Sequence, residues 1–361
     1  MSPTIIAKHQ AELLSFIHGL EVENIVQSFQ GRAILYAVYP RVLREVLISM
    51  TMLREHGCEL PIELWHYNEL SNDNIKLLMQ VKNVTVQNLS SFAKLHLTSG
   101  FQMKGASLLY TSYDEVLFLD SDNIPARDPT FLFDTPAFKE TGTLFWKDFW
   151  YSSDTNDRKT TSYNPIWSLT NITCIDEFEQ ESGQVLVRRT SPGVYQSLKL
   201  AFYMQKNSDL YFELVLGDKD TFRFAWRLLK TPFHFVRPNI GVAGNEDCNY
   251  VMVQFGPFWS RKVHGLPPKG YVERPEPQIA FLHMNLLKYK PFRNNPEFSF
   301  ITTYANVIVP NGRAEFGGLC TKLHEFTEKG RSYKTKRIRF DRALPGFSAL
   351  YQKVANRIGD V

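Results

Sequence analysis

The sequence predicts an α/β fold built around a mostly parallel central sheet. Three observations carry that reading. Short apolar runs alternate with amphipathic stretches through residue 120; the runs carry almost no charge; and one of them ends abruptly in a pair of aspartates. Alternation of this kind implies parallel strands joined by helical crossovers. In open sheets of that class, ligands sit beyond the carboxyl ends of the strands.

Each element follows in order. Residues 8 to 29 read as a helix, with Leu13, Leu14, Ile17, Leu20, Val22, Ile25 and Val26 on one stripe. Gly31 breaks the pattern, and Ala33 to Val38 is the first strand. Pro40 opens a helix carrying Val42, Leu43, Val46, Leu47, Met50 and Leu53, which Gly57 ends. Ile62 to Trp65 is the second strand, residues 72 to 80 a helix capped by Ser71, and Val84 to Val86 the third strand. Residues 102 to 112 read as helix, and Glu115 to Leu119 as the fourth strand, leading into Asp120. Beyond residue 130, aromatic residues and prolines predict long shaped loops over 131 to 170. A strand at Gln184 to Val187, a helix at Lys219 to Leu229, and a strand end followed by a loop over 281 to 290 are the clearest later elements. The charged tail from Lys322 to Arg342 reads as an exposed helix or arm.

Bulk properties narrow the function classes. The 361 residues suffice for one large domain with extensions. With 41 basic and 37 acidic residues the formal charge is +4, too mild for a nucleic-acid binder. Cys58, Cys174, Cys248 and Cys320 form no CxxC motif, which argues against a zinc ribbon or a thioredoxin-like site and leaves buried thiols and disulfides open. Three N-glycosylation sequons, at Asn83, Asn88 and Asn171, fit a chain of the secretory pathway. Met1-Ser2-Pro3-Thr4 lacks the basic region and apolar core of a signal peptide. No uncharged apolar run reaches the ~18 residues of a membrane span. Membrane association is therefore expected only through an anchor that this chain does not carry.

The strongest chemical signal is Val116-Leu117-Phe118-Leu119-Asp120-Ser121-Asp122-Asn123. A buried strand delivers two carboxylates, two residues apart, to its exposed end. Hard carboxylate oxygens suit Mg²⁺ or Mn²⁺, and a divalent cation there can bridge a diphosphate. The competing reading is an ordinary turn pair. His283, after the apolar run Ile279 to Leu282, is a candidate third ligand, and an imidazole favours Mn²⁺ over Mg²⁺. Lys288 can hold a phosphate as a point charge. Gly217-Asp218-Lys219-Asp220 opens a helix, where capping competes with sugar contact. Glu181-Ser182-Gly183-Gln184 permits close backbone approach to a ligand. Lys104 is on the helix before the aspartates, where a solvated lysine is the plain alternative. Trp146-Lys147-Asp148 offers an aromatic face and a carboxylate, or simply a hydrophobic anchor.

In this order, these segments resemble the fungal Golgi α-mannosyltransferases of glycosyltransferase family 71, over roughly residues 31 to 290. The resemblance rests on Leu64-Trp65-His66, Lys104 to Leu109, Tyr113 to Pro125, Asp128-Pro129, Gly142 to Asp148, Glu181 to Gln184, Gly217 to Phe222 and His283-Met284-Asn285. It implies a GT-A fold, Rossmann-like and nucleotide-sugar-binding. It further implies GDP-mannose as donor, Mn²⁺ as metal with Mg²⁺ the alternative, a mannose-containing glycan as acceptor, and retention of the α configuration. The family is similar in turn to the retaining family 8 enzymes. That likeness places the metal on Asp120, Asp122 and His283, and the sugar contacts on Asp148, Glu181, Ser182, Gly183 and Asp218. The donor contacts are expected at Tyr36, Lys104, Asp120, Ser121, Gly183, Asn285 and Lys288. Lys219 stands where family 8 has a glutamine, which points to same-face attack through an oxocarbenium-like ion pair rather than double displacement. The expected organisation is a helical extension over 1–30, a catalytic domain over 31–300, and a C-terminal extension over 301–361. The Golgi lumen is the expected compartment.

Two other classes are weaker matches. A nucleotidyltransferase carries a glycine-rich loop after the first strand, and Tyr39 to Arg44 has no glycine. A transferase relative that only binds sugar is expected to have a broken aspartate triplet, which here is intact. A UDP-sugar donor remains the alternative within the enzyme class. The basic residues Lys334, Lys336, Arg337, Arg339 and Arg342 read as a solvated face.

Overall fold

The computed structural model describes residues 1–20, 29–92, 97, 100–151, 160, 162–175, 177–237, 240–245, 249–257, 278–287, 297–304, 325–328 and 331–359. The strands in chain order are β1 (Arg32–Ala37), β2 (Ile62–His66), β3 (Val84–Asn88), β4 (Glu115–Leu119), β5 (Asn123–Pro125), β6 (Thr143–Tyr151), β7 (Phe178–Arg188), β8 (His234–Phe235), β9 (Gly241–Gly244), β10 (Tyr250–Phe255), β11 (Ile279–His283), β12 (Phe300–Tyr304), β13 (Glu325–Glu328) and β14 (Arg331–Arg339).

Among the described residues, one sheet has the order β3-β2-β1-β4-β7-β6-β8. Its β1, β2, β3 and β4 are parallel, as the alternation predicts. Both faces of these strands are covered, which is why they read as unbroken apolar runs. Ala33, Leu35, Val116 and Phe118 pack into one core; Ile34, Tyr36, Leu117 and Leu119 pack into another. The strand β7 runs antiparallel to β4, and β6 antiparallel to β7. The fold is therefore α/β with a mostly parallel, mixed sheet.

The second sheet, β13-β14-β12-β9-β10-β11-β5, was not foreseen. Among the described residues its strand pairings are all antiparallel. It has its own core, on which helix Phe347–Ile358 packs before lying against helix Leu43–Glu55. Arg44 donates to the Gly359 carbonyl at 2.9 Å across that contact.

Three expectations are corrected. The first helix spans Pro3–Gly19, not 8 to 29: the Ser2 hydroxyl accepts from the Ile5 amide, with proline in the first turn. Val22, Ile25 and Val26 lie outside the described residues. The stretch 131 to 170 is not all loop. Thr135 caps helix Pro136–Thr141, Gly142 ends it at φ 66°, and Asn164 caps helix Pro165–Thr170. The charged tail holds strands rather than a helix or free arm. There β14 pairs with β12, setting Ile338 opposite Ile301, and the period-two placement of Ile338 takes it into the core.

Cys58 is buried and Cys174 exposed, and neither forms a disulfide among the described residues; Cys248 and Cys320 lie outside them. No helix among the described residues is long and apolar enough to cross a membrane.

Candidate metal and donor site

The site forms where the two sheets meet. At the end of β4 the Asp120 amide donates to the Gly183 carbonyl at 2.8 Å, extending the β4–β7 pairing by one bond. The chain then turns, with the Asn123 amide on the Asp120 carbonyl at 3.0 Å. It enters β5, which pairs with β11 so that Asn123 faces His283. The Met284 amide donates to the Asp122 carbonyl at 2.9 Å. Thus the segment bearing the aspartates is hydrogen bonded to the strand bearing the histidine. Buried Asn123 fastens the turn by donating to the Gly183 carbonyl at 2.7 Å and to Gln184 Oε1 at 2.6 Å.

Asp120, Asp122 and His283 each offer one ligand atom, and these atoms lie within 4.8 Å of one another. His283 Nε2 is 3.2 Å from Asp122 Oδ1, and His283 Nδ1 is 3.6 Å from Glu181 Oε1. Burial alone disfavours the imidazolium, yet Glu181, Asp122 and Asp120 together push His283 up to about 9. The acids that favour a proton on this imidazole would equally favour a divalent cation in the same place. The donor set, two carboxylates and an imidazole, fits Mn²⁺. Gly183 makes room for it: a Cβ there meets His283 Cε1 at 2.4 Å.

Beside this cage, Lys104 is buried and makes four polar contacts. Its Nζ lies 3.0 Å from Asp120, 3.0 Å from Asp218, 2.7 Å from the Ser182 carbonyl and 2.9 Å from Ser182 Oγ. Burial works against its charge, but the two aspartates outweigh it and keep the ammonium protonated. Asp218 itself is raised by burial, against the pull of Lys104.

Lys219 is also buried and points elsewhere. Its ammonium lies between Asp148 at 2.7 Å and Glu179 at 2.5 Å, with Asp220 at 3.5 Å. These acids hold it well above the ordinary lysine range. Burial pushes the Asp148 carboxyl up to about 6, with Lys219 opposing the rise and Glu181 and Glu179 adding to it. Glu179 escaped the sequence reading. The available signal was its place two residues before Glu181, since residues so spaced share a face of a strand.

Asp120, Asp122, Glu181, Gly183, His283, Lys104 and Asp218 are therefore brought together, with Asp148 and Lys219 adjoining through Glu181. Ser121 is half-buried between the two aspartates. Asn285 follows the histidine in a short 3-10 turn, its Oδ1 buried without a hydrogen bond among the described residues. Tyr36, expected as a donor contact, is not brought into the cluster. It is fully buried with its hydroxyl 2.8 Å from Ser49 Oγ, which donates to the Asn123 carbonyl. Trp146 is an anchor, its indole N–H on the Phe255 carbonyl at 2.7 Å. Lys288 lies outside the described residues.

The family model Mannosyl_trans3, of mannosyltransferases, matches residues 31–255. The chain is 33% identical to alpha-1,2-mannosyltransferase MNN21 of Candida albicans over 37% of this chain and 23% of that protein. It is 24% identical to alpha-1,2-mannosyltransferase MNN2 of the same organism over 68% of this chain and 48% of that protein. It thus spans between about a quarter and a half of the length of these relatives. Among solved structures, the glycosyltransferase GlyE of Streptococcus pneumoniae TIGR4 aligns at a TM-score of 0.38 and 17% identity, over 58% of this chain and 45% of that one. The family match covers most of the chain, the aspartate triplet included, and the chain belongs to this mannosyltransferase family.

Proposed function

We propose that the chain is the catalytic part of a retaining, metal-dependent α-mannosyltransferase that moves mannose from GDP-mannose to a mannose-containing glycan. Family membership supports the sugar, and the names of the relatives support an α-1,2 linkage. The observation that carries the reading is the cluster of Asp120, Asp122 and His283, with the Lys104 ammonium 3.0 Å from Asp120.

A divalent cation bound by Asp120, Asp122 and His283 supplies charge neutralisation for the departing diphosphate. Lys104 adds a second, protein-borne positive charge on the same side, already oriented by Asp218 and Ser182. Asp148 and Glu181 are placed to accept hydrogen bonds from donor hydroxyls. Lys219 is no nucleophile: a protonated amine clamped by two carboxylates has no lone pair to offer. Its charge instead sets that of Asp148. This favours attack on the same face that the diphosphate leaves. The Golgi lumen is the compartment proposed, on the family resemblance.

A donor panel in Mn²⁺, scored for nucleotide release with a mannose-containing acceptor, tests the reading. Turnover with GDP-mannose is expected. Turnover with a UDP-sugar and none with GDP-mannose overturns the donor assignment.

A further inference from the structure

Two helices carry the charged pair nearest the aspartates. Helix Gln102–Tyr110 bears Lys104, and helix Lys219–Leu228 begins directly after Asp218. A third helix, Val194–Lys206, packs against both. At its last turn is Gln205, fully buried.

Gln205 reaches both neighbours. Its Nε2 donates to Thr221 Oγ1 at 3.0 Å, and Thr221 Oγ1 donates to the Asp218 carbonyl at 2.5 Å. Its backbone carbonyl accepts from Gln102 Nε2 at 3.1 Å, two residues before Lys104, a bond that Gln205→Leu leaves in place. Its Oε1 lies over Gly105, where a Cβ would come within 2.1 Å of it. Among the described residues that oxygen is buried without a hydrogen-bond partner. Such an atom costs about 1–3 kcal/mol, and a leucine of similar size avoids the cost. A carboxamide kept here at that expense is explained by what its other end holds.

We propose that Gln205 is a positioning residue: its carboxamide, bonded to Thr221 and packed over Gly105, seats the helix of Lys104 against the helix opened by Asp218, and so fixes the Lys104 ammonium between Asp218 and Asp120. That this ammonium serves a donor diphosphate rests on the function proposed above. The lock itself does not.

Two variants approach the lock from opposite ends: Gln205→Leu removes the donor, and Thr221→Val removes the acceptor while keeping Gln205. The native proteins are treated with an amine-acylating reagent, and labelling of Lys104 is followed by peptide mass spectrometry. Partly buried Lys147, on β6 and on neither helix, is the internal control. Lys104 is expected to label about tenfold faster in both variants, the equivalent of 1.4 kcal/mol of opening, with Lys147 unchanged. Mn²⁺-dependent GDP affinity should fall by a similar factor. Unchanged Lys104 labelling in both variants overturns the proposal, as does a parallel rise at Lys104 and Lys147. Faster Lys104 labelling with wild-type GDP affinity retained overturns the donor-positioning role. If the wild-type chain binds no GDP with Mn²⁺, the proposed function fails, while the labelling rates still decide the lock.

Discussion

Gly183 and His283 are in such close approach that no side chain fits between them: a Cβ at 183 meets His283 Nδ1 at 2.5 Å and Nε2 at 2.9 Å. The imidazole cannot simply swing aside, because Asp122 and Glu181 flank it and it is buried. Gly183→Ala is therefore expected to fold and to displace the ring. Mn²⁺ affinity, measured by calorimetry, should fall by about 10–100-fold, as when a group supporting a metal ligand is lost. Wild-type affinity in this variant contradicts a ligand role for His283.

Asp148 sets the acid side of the pH profile. With its carboxyl pushed up to about 6, kcat/KM is expected to fall below that pH as the group takes a proton and loses the charge that strengthens its bonds to donor hydroxyls. Lys219 favours the charged form, so Lys219→Met moves this limb to higher pH. Glu179→Gln removes a repelling charge and moves it to lower pH. A limb that stays fixed in both variants excludes Asp148 as its source.

The metal-free fold should also respond to pH through His283. Its pKa is raised from 6.5 to about 9 by folding. The stabilisation is therefore complete below pH 6.5 and is lost as pH rises through 9. Its upper bound is about 3.5 kcal/mol, at 1.4 kcal/mol per pH unit. Urea unfolding in EDTA across this range should show the loss in the wild type and not in His283→Asn. Equal pH dependence in the two proteins contradicts the charge assignment.

Tyr36 braces the site from below. Tyr36→Phe breaks the relay through Ser49 to the Asn123 carbonyl and should cost about 1 kcal/mol of stability. Donor KM should stay within about twofold, since the difference between a contact and a brace is the absence of a direct binding term. A large rise in donor KM without loss of stability restores Tyr36 as a contact.

The parallel strands, and the delivery of Asp120 and Asp122 by β4, were legible because a strand buried on both faces is a run of apolar residues with a sharp end. The partnership of the aspartates with His283 was not legible from spacing. It depends on β5, three residues long, pairing with β11, which brings His283 to Asp122 across 161 positions. The apolar run before His283 nominated the residue, the resemblance joined it to the aspartates, and the second sheet supplies the reason. That sheet was missed because its strands are short and its last long strand is dominated by lysine and arginine, which masked the inward Ile338. Tyr36 was misplaced because both faces of β1 are buried, so strand parity could not tell a core tyrosine from a donor contact. The Lys219 clamp was hidden for another reason: Glu179, Asp148 and Lys219 come from three separate segments, and only folding brings their charges together.

The most direct measurement is anomalous diffraction at the manganese edge from a crystal of the chain soaked with Mn²⁺ and GDP. One peak bonded to Asp120, Asp122 and His283 together, with the diphosphate reaching it, is the predicted result. An ion bound elsewhere, or a diphosphate lodged away from these three groups, contradicts the proposed centre.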